Sequence, residues 1–251
     1  MAPSDRRRLS LSLPIQWGTP AMNIDAARVL RSASRVVSVA SLIALGACHG
    51  DFCAGGDGCF FDDGAQSIAI SGTAATGRAL AGAAVTIDCV NGVATTQADS
   101  SGNYAVTVGA VLPCIITATA GTTTLHSLAF AGGTFNTTPE TDLMLTYLAA
   151  QLGTDTAHLL ADFPNNGHEQ QVLENASNVV SAEATVVSIL QQHYGVTLST
   201  QSFLTTPFVV GQPGVDADLA VLANAGAIDT NGMPDPVAVS LLVRAGAAQP
   251  L

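Results

Sequence analysis

The residues able to do acid–base, nucleophilic or metal chemistry are few and dispersed. Histidines stand at positions 49, 126, 158, 168 and 193, and no two have the four-residue spacing that puts a zinc pair on one helix face. No G-x-S-x-G turn presents a serine nucleophile. His126 and Ser127 are adjacent in a strand-like run, where successive side chains point to opposite faces, so they are not a nucleophile–base pair. Asp216 and Asp218 open a helical segment, where negative charge is favoured by the backbone dipole. Asp229, Asn231 and Asp235 set oxygen side chains around Gly232, a spacing that could begin to wrap calcium. The third oxygen position and the distal bidentate glutamate are missing, so the stronger reading is a turn plus a helix cap. The Gly-rich stretches do not follow phosphate-binding spacings. No catalytic residue and no cofactor is implied.

The five cysteines carry more information. Cys48, His49, Cys53 and Cys59 could supply four zinc ligands, but no C-x-x-C spacing exists among them. Cys48 instead closes an ordered series. Arg28, Arg31 and Arg35 form a positive region, residues 36–47 form an apolar run too short to span a bilayer, and Gly46-Ala47 are the small residues a signal peptidase needs. The stretch Leu45-Gly46-Ala47-Cys48 resembles the lipobox of bacterial lipoproteins, in which the cysteine is acylated and becomes the new N-terminus. That resemblance implies a signal peptide over 1–47, with Met22 the expected start, and a membrane tether through lipid on Cys48. His49, rather than Asp, after the cysteine is similar to outer-membrane sorting. Four cysteines then remain in an oxidising compartment. Three connectivities are open to them; proximity favours Cys53 with Cys59 and Cys89 with Cys114.

From Cys48 onward the chain carries two arginines, no lysine and seventeen carboxylates, a net charge of −15. Such a surface repels phosphate, so nucleic acid is not an expected partner.

The elements follow from periodicity. Residues 48–66 read as an anchor and Gly/Asp-rich linker. Over 67–135, Ile68/Ile70, Val85/Ile87/Cys89, Tyr104/Val106/Val108 and Ile116/Ala118 alternate, separated by turns such as Asn91-Gly92 and Ser101-Gly102-Asn103. These predict a small antiparallel β-sandwich. Beyond, over 136–251, the period becomes helical. Thr138-Pro139 starts a helix with Leu143, Tyr147 and Leu148 on one face. A short helix is predicted over 156–163, and the longest over 169–194. Two more fall at 216–225 and 236–245, the last opened by Asp235-Pro236 and closed by Gly246 as its cap. The fold class expected is α+β, a sandwich followed by an α-helical bundle.

Gly72, Gly77-Arg-Ala-Leu-Ala-Gly82-Ala-Ala-Val85, Thr95-Thr96 and Asp99-Ser-Ser-Gly102-Asn-Tyr104 together resemble a carboxypeptidase-regulatory-like domain of the prealbumin (transthyretin-like) type. Ala79 departs from the family's usual proline. The resemblance implies a non-catalytic accessory module. The function expected is a lipid-anchored envelope protein that binds a protein or glycan or serves a structural role. A periplasm-facing assembly or secretion accessory is the alternative, and an enzyme ranks third.

Overall fold

The computed structural model describes residues 65–251. The apolar alternation becomes strands β1 (Gln66–Thr73), β2 (Ala84–Asn91), β3 (Val93–Gln97), β4 (Asn103–Ala120), β5 (Thr123–Ala129) and β6 (Gly133–Thr134). Ile70, Val85, Ile87, Cys89, Tyr104, Val108, Ile116 and Ala118 are the buried members of these alternations. Asn91-Gly92 turns β2 into β3, and Gly92 takes φ 99°, the positive value a tight hairpin demands.

Two features depart from the sequence reading. The runs around Tyr104–Val108 and Ile116–Ala118 belong to one eighteen-residue strand that passes through Leu112–Pro113, a cis peptide bond. The first part of β4 pairs with β1, and the second part lies between β2 and β5. β6 then pairs with β1 in parallel, so the sheet is mixed rather than wholly antiparallel. The result is one six-stranded sheet, ordered β3-β2-β4-β1-β6 with β5 on the far part of β4, and it does not close on itself.

Six helices follow: α1 (Pro139–Gln151), α2 (Thr156–Asp162), α3 (Gly167–Glu174), α4 (Ala176–Tyr194), α5 (Val215–Ala225) and α6 (Pro236–Ala247). The long helix expected over 169–194 is interrupted. Asn175 leaves helical geometry at ψ 102°, and its carboxamide accepts from the Ser177 amide to start α4. Asn178 donates back to the Val172 carbonyl across the break.

α1 shows no outer face. All of its residues are buried, because β5 covers one side and α6, α4 and α2 pack on the others. Thr138 and Thr141 cap its start reciprocally, side chain to backbone in both directions. Gly246 does not cap α6, which continues to Ala247. It is buried against α1 instead, where a Cβ would overlap the Tyr147 carbonyl oxygen and lie 2.8 Å from the Ala150 Cβ. One hydrophobic cluster runs from Ile70 in the sheet through α1 to Leu242 in α6. Sheet and helices therefore share a core.

Candidate functional site

The most suggestive chemistry lies where β5 meets α1. His126 sits on β5, whose far edge from β4 would otherwise expose free backbone groups. The first turn of α1 satisfies them. Asp142 Oδ1 accepts the His126 backbone N–H at 3.1 Å, and the Thr141 hydroxyl lies 2.7 Å from the His126 carbonyl oxygen. The same Asp142 Oδ1 is 2.9 Å from the imidazole Nδ1, so ring and carboxylate lock each other in place. Burial pushes the Asp142 carboxyl above its ordinary range, and the His126 bonds pull the other way. Asp142 Oδ2 accepts no hydrogen bond from the described residues.

His126 and Asp142 line a pocket of about 360 Å³. The polar side is His126, Asp142, Thr124, Thr146 and Thr156. Thr146 donates to the Asp142 carbonyl oxygen, and Thr156 donates to the Thr146 hydroxyl at 3.2 Å. The rest of the lining is apolar: Ala157 and Leu160 of α2, Met233 and Pro234 of the loop before α6, and Val239 of α6. A concave site with apolar walls and a small oriented polar group is the ordinary form of a small-molecule site. Ser127 points away from it and is fully buried, as the strand period requires.

A second polar region fastens a long connection. Residues 195–214 between α4 and α5 hold no helix or strand and are tied down by carboxylates. Glu183 accepts from the Leu204 amide at 2.8 Å, Asp218 from the amide and hydroxyl of Ser199, and Asp216 from the Gly211 amide at 2.8 Å. Asn136 completes the clamp, since its carboxamide nitrogen donates to the Phe203 and Thr206 carbonyls at 2.8 Å each. Burial lifts Glu183 to about 7 and Glu140 well above the usual carboxylate range, Asp218 and Glu183 adding like charge to Glu140. Asp216 and Asp218 thus open α5, as expected, and also hold the connection.

The remaining sequence-predicted residues fall as follows. Cys89 and Cys114 are directly opposed on β2 and β4 and form a disulfide, the pairing that proximity favoured. Cys48, Cys53 and Cys59 lie outside the described residues. Asp229 Oδ1 accepts from the amides of Asn231 and Met233, which holds its carboxyl below the usual range, and Asp235 caps α6 through the Val237 amide. These side chains build the turn and the cap. The described residues contain no group of three or more His, Cys, Asp or Glu placed to hold a metal, and no helix among them is long and apolar enough to cross a membrane.

The sequence reading missed the His126–Asp142 pair, which lies sixteen residues apart on two elements. The available signal was the unusual company of each: a histidine in a Thr/Leu strand, and an acid inside an apolar helix. No family model, no curated protein and no solved structure matches the chain.

Proposed function

We propose that this is an envelope protein, tethered by lipid on Cys48, whose folded body binds a small molecule in the pocket between β5, α1, α2 and α6. The observation that carries the binding reading is the His126–Asp142 pair, fixed in geometry and sharing one pocket lining with Met233, Pro234 and Val239. Support for the tether is the order of charged, apolar and small residues ending at Cys48. The pair by itself is a base with its orienting acid, and no serine, threonine or cysteine is bonded to the imidazole among the described residues, which favours binding over covalent catalysis.

We further read the sheet half as a prealbumin-like module. Its support is local: Asp99 Oδ1 accepts from the Ser101 and Asn103 amides, Gly102 takes φ 84°, and the Tyr104 hydroxyl reaches the Phe135 carbonyl. The Asp-x-x-Gly-x-Tyr element is thus a side-chain-closed turn followed by a buried anchor.

A fragment screen followed by protein-observed NMR tests the binding reading. Hits whose shifts centre on His126, Thr156 and Met233 support it. Hits that cluster elsewhere, with these signals unmoved, overturn it.

A further inference from the structure

Resting on the binding reading above, we propose that the pocket selects a small organic cation, a primary amine carried on an apolar body. Three observations on the page converge on that class. First, the acceptor is in place: Asp142 lines the pocket, its Oδ1 takes both bonds from His126, and its Oδ2 takes none from the described residues. A carboxylate oxygen so placed asks for a donor, and a charged donor makes the stronger bond. Second, no arginine or lysine of the described residues lines the site: Arg78 and Arg244 are exposed and lie outside it, so a carboxylate or phosphate ligand would meet Asp142 with only the His126 ring beside it. Third, the same lining includes the apolar side chains of Leu160, Met233, Pro234 and Val239, which accept a hydrocarbon body.

The geometry also assigns secondary roles. The Thr156 hydroxyl, 3.2 Å from that of Thr146, stands on the polar side and can accept a second ammonium proton. His126 acts as a positioning residue, since its ring and backbone amide hold Oδ1 and leave Oδ2 without a bond from the described residues. The net charge of −15 beyond Cys48 draws cations toward the molecule as a whole, so the test must separate site from surface.

The experiment is a titration of the purified protein with benzylamine, benzyl alcohol and benzoate, matched in body and differing in charge, followed through His126 and Met233 NMR signals near neutral pH and physiological salt. Benzylamine is expected to shift both signals and to bind roughly tenfold tighter than the alcohol, the scale of one charge-assisted hydrogen bond, with benzoate the weakest. Asp142→Asn, which keeps an oxygen for His126, is expected to bring the amine to the level of the alcohol. If that variant does not fold, the ranking of the three probes on the unaltered protein decides. Alcohol or benzoate binding as tightly as the amine would overturn the cation class while leaving the pocket a binding site. Silence of both signals to all three, or amine shifts spread over exposed carboxylates, would overturn the class and count against the pocket itself.

Discussion

Glu183 makes the stability of this protein depend on pH in an unusual direction. The side chain is 2% exposed on α4, and its Oε1 holds the Leu204 amide. No cation among the described residues offsets it, and burial lifts its pKa from 4.5 to about 7, with the Leu204 bond opposing. In the unfolded chain the carboxyl returns to its ordinary value, so between those two values the folded state binds the extra proton. The contribution is therefore fully present below about pH 4.5 and is lost as pH rises through about 7. The shift is worth about 3 kcal/mol once the carboxyl has ionised, roughly 6–12 °C in Tm for a chain of this size. Glu140, fully buried and raised well above its usual range, pushes in the same direction. Glu183→Gln removes the proton but keeps an oxygen for Leu204. Urea unfolding followed by circular dichroism at about pH 5 and about pH 8.5 measures the difference. The variant should match the parent at the lower pH and exceed it at the higher by about 2–3 kcal/mol. Self-repulsion of the acidic surface acts on both proteins, so it cancels in the comparison. Parallel pH profiles, or a variant weaker than the parent at the higher pH, would refute the reasoning.

Other outcomes follow from packing and covalent links. Gly246→Ala should destabilise by about 1–3 kcal/mol despite the better helix propensity of alanine, because α1 and α6 must separate; thermal melts check this. Asn136→Ala strips the Phe203 and Thr206 carbonyls of a shared donor and should cost about 2–4 kcal/mol, with hydrogen exchange rising across residues 195–214 before the rest of the molecule. Replacing Cys89 and Cys114 by serine should lower stability by about 3 kcal/mol and reduce the response of the melting midpoint to reductant. Intact mass of membrane-extracted protein should begin at Cys48 with acyl chains attached, and a Cys48→Ser variant should lose them. An unacylated native product would remove the tether from the proposal.

Local signals carried much of this fold into view. Alternating Ile, Val and Tyr marked β1, β2 and the start of β4, and Thr138-Pro139 and Asp235-Pro236 marked the starts of α1 and α6, because caps and turns are written in adjacent residues. What stayed hidden depends on distant chain. Pro113 reads as a strand breaker, yet β4 continues through it because each part has its own partners. Leu143, Tyr147 and Leu148 suggested one apolar face for α1, whereas small and polar residues on its other sides are buried by α6 and β5. Gly246 looked like a helix end because glycine favours that position; its actual reason is the approach of another helix. The pairing of His126 with Asp142 depends on α1 docking against the β5 edge, a tertiary event with no local spacing rule. Asn136, likewise, shows its purpose only once residues 195–214 are laid beside it.

The pocket beside His126 is the feature on which the functional account rests, and blocking it is the most direct test. Ala157→Trp adds an indole at an exposed lining position of α2 and leaves His126 and Asp142 unsubstituted. Ligand-observed NMR against a fragment set should show binding to the parent and its loss in the variant, with the two proteins melting alike. Binding that persists in a folded A157W protein would contradict the assignment of this pocket as the site.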